Sequence, residues 1–171
     1  MKKIYFLLVT VLSIAFISCT GDSGPPGPPG PPGNDGEIIA AQAFEIELDF
    51  LAAENFEFIE PYGFDVLPTD VTLVFILWEV DNGTEIWRIL PQSVEFPDGS
   101  LVYNYDFTQV DVRFFLDGTT DFNALEPIWT QNQVFRVVVV PADNVGRQNL
   151  TDLEAIMEIY NIQNFEKRDR T

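Results

Sequence analysis

Residues 44–50 read FEIELDF and alternate apolar with acidic side chains without a break. Side chains along a strand point to opposite faces, so this pattern buries one face and wets the other. A helix would scatter the three acids around its circumference. The same period returns in Leu101, Tyr103, Tyr105 and Phe107, with Asn104 and Asp106 on the other face, and again in Val112, Phe114 and Leu116. Two runs are apolar on both faces, VTLVFILWEV at 71–80 and VFRVVVV at 134–140, the second ended by Pro141. They suit central strands. Residues 56–59 suit a shorter strand, followed by a loop punctuated by Gly63 and Pro68. The pattern predicts a mainly β domain over residues 37–171: an antiparallel β-sandwich of immunoglobulin-like architecture with one C-terminal α-helix.

Turn chemistry sets the expected register. Asn82-Gly83 prefers the type I′ hairpin turn, because both residues tolerate positive φ. A two-residue loop pairs Asp81 with Thr84, and an unbroken ladder then sets Trp78 opposite Trp87 and Ile76 opposite Ile89. Glu79 and Arg88 come within diagonal reach on the opposite face. Pro97-Asp98-Gly99 reads as a turn joining strands near 92–96 and 100–107. Thr151 with Glu154 three residues later is a capping-box signature, and Leu153, Ile156, Met157 and Tyr160 make a helical apolar stripe. The basic residues Lys167, Arg168 and Arg170 suit the negative end of that helix or a frayed tail.

The first 36 residues are of another kind. Two lysines lead an apolar run of 14 residues from Ile4 to Ile17. That is short of the ~20 residues that span a bilayer and fits the ~7–15 of a signal peptide. Phe16-Ile17-Ser18-Cys19 resembles the bacterial lipobox, with Phe16 where Leu is usual. The resemblance implies cleavage of residues 1–18 and acylation of Cys19, whose buried acyl CH₂ groups would contribute about 0.8 kcal/mol each. The alternative is an ordinary signal peptide with an incidental cysteine. Cys19 is the one cysteine of the chain, which favours the lipid, since a leftover thiol is a liability in an exported protein.

Gly24, Gly27, Gly30, Gly33 and Gly36 recur every third residue, with Pro-Pro filling the first three intervals and Asn34-Asp35 the fourth. This is the collagen period. So few triplets offset little of the entropy of ordering three chains. We therefore expect residues 19–36 to form a monomeric polyproline II stalk, with a collagen-like trimer as the alternative. Residues 20–36 would then reach roughly 50 Å at about 3.1 Å per residue.

Charge narrows the partners. Removing Lys2 and Lys3 with the signal takes the formal charge from −18 to −20. Between Lys3 and Arg88 there is no Lys or Arg, but there are 14 Asp and Glu residues. Such a surface repels phosphate backbones, so no nucleic-acid partner is expected. It repels anionic headgroups too, so membrane contact should come through acyl chains on Cys19. The chain has no histidine, which excludes Ser-His-Asp and Cys-His catalysis and histidine-ligated metals.

Three features were weighed as sites. Paired carboxylates can hydrolyse glycosides, but with 27 acids most close pairs are chance. Asp117 and Asp121 flank a loop of oxygen ligands that does not match EF-hand spacing; it suits a solvated turn better than a calcium site. Trp129, in EPIWTQNQ, suits a plug at the end of the sandwich, with sugar stacking as the sharper alternative. We expect no catalytic residue, cofactor or metal.

The cysteine, the immediate Gly-Pro-Pro run and the acidic β-rich domain together resemble uncharacterised collagen-like lipoproteins of Bacteroidota. The resemblance implies an outer-membrane or cell-surface location, with the periplasmic face as the alternative, and carries no activity. The expected function is non-enzymatic: a lipid-anchored module on a stalk that binds an envelope protein or glycan, or builds structure. A carboxylate-based glycan hydrolase is the alternative.

Overall fold

Among the described residues the chain forms nine strands and one α-helix. The structure, a computed structural model, describes residues 41–141 and 149–168, all within one compact unit, Glu37–Thr171. The signal segment, Cys19, the stalk, Arg170 and residues 142–148 lie outside the described residues. The strands are β1 (Gln42–Leu48), β2 (Glu57–Pro61), β3 (Val71–Asp81), β4 (Thr84–Ile89), β5 (Gln92–Phe96), β6 (Gly99–Phe107), β7 (Asp111–Gly118), β8 (Gln133–Val140) and β9 (Glu166–Arg168). The helix α1 is Leu153–Ile159.

They form two sheets, ordered β4-β3-β8-β1-β9 and β2-β7-β6-β5. Register aligns the apolar sets. Phe44 of β1, Val137 of β8 and Val74 of β3 lie side by side, as do Ile46, Phe135 and Ile76. These six face the second sheet, where Leu101, Tyr103, Val112 and Phe114 meet them in one buried cluster. Phe114 and Phe135 touch across it, ring centroids 4.9 Å apart. Polar side chains tie the layers. Thr72 of β3 shares a 2.7 Å hydrogen bond with the Tyr62 hydroxyl, and its carbonyl accepts one from the Tyr105 hydroxyl at 3.1 Å.

β3 and β8 are apolar on both faces because both faces are covered. Leu73, Phe75, Val138 and Val140 point away from the second sheet and pack under Leu153, Ile156 and Tyr160 of the helical segment. The expected apolar stripe of α1 is the face that covers them. The cap lies one residue later than the capping box predicts. Asp152 accepts a hydrogen bond from the Glu154 amide at 3.0 Å, while the Thr151 hydroxyl donates to the Asn149 side chain.

The hairpin after β3 corrects the expected register. Asp81 pairs with Thr84, Val80 with Glu85 and Glu79 with Ile86, as the turn requires. The ladder then shifts at Trp78, so Leu77 faces Trp87, Ile76 faces Arg88 and Phe75 faces Ile89. A bulge adds one residue, and one residue reverses the facing of every side chain beyond it. Trp78 therefore packs towards the inter-sheet core and Trp87 towards the helix layer, on opposite faces. Arg88 lies over the Trp78 ring at 4.3 Å, and among the described residues no ion pair joins it to Glu79.

The basic tail is neither frayed nor at the helix end. Residues 166–168 form β9, which adds to β1 in parallel; every other pairing is antiparallel. Arg168 explains this. Its guanidinium lies 3.7 Å over the Phe44 ring and pairs with Glu60 at 2.9 Å. It also donates to the Pro61 and Tyr62 carbonyls at 2.9 and 2.6 Å. Glu60 and Pro61 belong to β2 of the second sheet, so one side chain joins the two sheets.

Candidate functional site

The core is filled, so candidate sites are open grooves on the surface. Several pair an aromatic side chain with polar ones, and two of these are described in turn. The larger, about 790 Å³, runs between the β4 hairpin and α1 and is floored by Trp87, Arg136 and Met157. Its polar groups are already engaged. Arg136 pairs with Glu45 at 2.9 Å and Glu85 at 3.0 Å, and is stacked between Trp87 and Phe165 at 4.0 and 4.7 Å. This cluster was not read from the sequence, because its members come from four separated segments.

The other groove, about 420 Å³, is bordered by Phe96, Asp98, Asp121, Leu125, Glu126 and Trp129. That volume lies within the ~300–1,000 Å³ of small-ligand sites. Trp129 closes a 3₁₀ turn, Pro127–Trp129, opened by a proline at its first position. Its carbonyl accepts a 2.7 Å hydrogen bond from the Tyr103 hydroxyl, and its ring meets Phe96 edge-on at 5.3 Å and 86°. Backbone and ring are thus both fixed, and the side chain is partly buried against the inter-sheet core. Trp129 packs against the inter-sheet core, as a plug does, and also lines an open groove.

The acids around it are oriented by local bonds. Asp98 accepts from the Thr120 hydroxyl at 2.7 Å and the Asp121 amide at 3.3 Å. These bonds, the Thr120 hydroxyl foremost, hold its carboxyl below the usual carboxylate range. Asp121 caps a second 3₁₀ turn, Phe122–Ala124, by accepting from the Asn123 amide at 3.0 Å. Asp117 lies at the end of β7 and accepts from the Gly118 amide at 2.7 Å. The Asp117–Asp121 segment is a turn in which each acid serves its own backbone. Among the described residues no group of three or more metal-ligating side chains could hold a metal ion.

Topology places this groove. The chain enters the described fold at the Gln42 end of β1, beside Val139. The Trp129 turns sit at the other end: Leu48 pairs with Gln133, the Phe50 amide donates to the Thr130 carbonyl at 2.7 Å, and the Asn132 amide donates to Asp49 at 2.8 Å. A strand of seven residues separates the two ends by about 23 Å.

Compared with known proteins, the chain matches no protein-family model, no curated protein and no solved structure. The argument for function therefore rests on this geometry and on the sequence.

Proposed function

We propose that this chain is a lipid-anchored cell-envelope protein that displays a non-enzymatic binding module on a short Gly-Pro-Pro stalk. The observation that carries the reading is the succession Phe16-Ile17-Ser18-Cys19 and the glycine-every-third-residue run that follows it. Like the collagen-like lipoproteins it resembles, the chain would sit in the outer membrane or at the cell surface, held by acyl chains on Cys19. The displayed unit would be the two-sheet domain, of immunoglobulin-like architecture.

Two structural facts support a module over a hydrolase. The candidate grooves are open, and Asp98 and Asp121 are fixed by local hydrogen bonds. Asp98, on the Trp129 groove, and Asp106 are held below the usual carboxylate range, by Thr120 and by Arg113 respectively. A glycosidase's general acid needs the opposite shift.

The test is fractionation of cells expressing the full chain or Cys19→Ala, with metabolic labelling by a fatty acid. Label should enter the first and not the second, and the variant should leave the membrane fraction. Protease added to intact cells should degrade a surface-displayed protein and spare a periplasmic one. An unlabelled protein that stays in the membrane fraction after Cys19→Ala would overturn the reading.

A further inference from the structure

We infer that the Trp129 groove binds an uncharged sugar ring of a glycan chain, stacked on the indole face. This deepens the module reading and rests on it. An aromatic face carries negative quadrupole, and the C–H groups on one face of a pyranose ring are slightly positive, so the two stack. Such a contact is useful only if the ring is held ready. Trp129 is: Phe96 fixes its plane and Tyr103 fixes its backbone. Among the described residues, no hydrogen bond takes the Trp129 indole N–H, which leaves a donor for a hydroxyl oxygen.

The rim supplies acceptors. Sugar hydroxyls are donors, and a carboxylate held in place accepts from them at little cost in its own freedom. Asp98 and Asp121 are so held, each through one oxygen, Oδ2 of Asp98 and Oδ1 of Asp121. Their other oxygens remain to accept. Glu126, exposed, adds a third acid to the lining. Three carboxylates at one groove also exclude acidic sugars by like-charge repulsion, and so define the class: neutral rings are accepted and uronic or sialic acids refused. The Arg136 groove lacks this combination, since its indole is covered by a guanidinium and its indole N–H is given to Glu85 at 3.1 Å.

The probes are hexasaccharides of glucose, of mannose and of galacturonic acid, titrated against the full chain in detergent while tryptophan emission is read. At least one neutral hexasaccharide should saturate with Kd below about 1 mM, and the galacturonic acid hexamer should bind at least tenfold more weakly. Trp129→Ala should weaken neutral binding at least tenfold. Because that variant also loses the Phe96 contact, Glu126→Lys on the exposed lip is the second test. It should narrow or reverse the discrimination against the acidic hexamer without loss of folded circular dichroism. No saturation with either neutral hexamer overturns the inference, as does neutral binding unchanged by Trp129→Ala or discrimination unchanged by Glu126→Lys. A dimer dispersed by Trp129→Ala in light scattering, without sugar binding, would make the groove a protein interface and overturn it too. Failure here with intact Cys19 acylation sinks the ligand alone; sugar binding by an unacylated protein sinks the anchored reading alone.

Discussion

Arg168 should be worth more to stability than any other single cation described in this fold, and Arg168→Ala measures it. The side chain is 17% exposed and its partner Glu60 19%, so the pair is largely but not fully removed from water. Removing the guanidinium strands three acceptors at once: the Glu60 carboxylate and the Pro61 and Tyr62 carbonyls. It also uncovers the Phe44 ring. Breaking a fully buried ion pair costs about 3–5 kcal/mol, and hydrogen bonds to charged groups contribute about 1.5–3 kcal/mol each, without adding fully. Water reaching this pair reduces the first figure, so we expect a loss of about 2–4 kcal/mol. For a domain of this size that lowers Tm by roughly 6–16 °C. Arg168→Lys should recover less than half, because an ammonium cannot spread its donors across both carbonyls and the acid. Glu60→Gln should cost only about 1 kcal/mol, since an amide oxygen still accepts. The assay is urea unfolding followed by circular dichroism, with a double-mutant cycle on Arg168 and Glu60. A loss under about 0.5 kcal/mol for Arg168→Ala would refute the assignment of β9 as the closing element.

Burial raises the proton affinity of Tyr62, Tyr103, Tyr105 and Tyr160, Tyr103 most of all. Their contribution to stability is intact below the ordinary phenol pKa of about 10 and is lost as pH rises from there through the folded values. Tyrosinate absorbance near 295 nm should therefore lag behind free tyrosine and appear together with unfolding; titration before any loss of folded signal would contradict the packing. Gly118, at φ +127°, sits where an added Cβ would come 2.1 Å from the Ser100 carbonyl oxygen, so Gly118→Ala should cost more than about 2 kcal/mol in urea unfolding. At the helix start, Asp152→Ala should cost about 1 kcal/mol and Thr151→Ala clearly less; equal losses in the same assay would restore the capping box.

The strands were legible where one face is wet and the other dry. Phe44–Ile46–Leu48, Leu101–Tyr103 and Val112–Phe114–Leu116 all point inward, as alternation requires. Asn82-Gly83 gave the hairpin its first three pairs and nothing beyond them, because a bulge at Trp78 has no local mark such as a glycine. The helix stripe was legible, but its cap was ambiguous between two adjacent residues that both cap well. β9 was not legible at all. Glu-Lys-Arg has no apolar alternation, and it is a strand because of Glu60, Pro61 and Tyr62, more than 100 positions earlier. The groove was half legible. Trp129 stood out as an aromatic in a loop, but Phe96 and Asp98 come to it from the β5–β6 hairpin, about 30 positions earlier, and no sequence spacing announces that.

The pairing of β9 with β1 has a consequence for how the protein is made. Phe44 lies beside Glu166, so the two ends of the domain are neighbours in one sheet. A growing chain can form its central hairpins early, but the edge of β1 and the acceptors at 60–62 wait for residues 166–168 to emerge. Contacts between such distant positions close the largest loop available and form late. Synthesis of residues 166–168 is thus the event that completes the fold, and a chain stopped short of Arg168 would carry an open β1 edge and an unmatched Glu60.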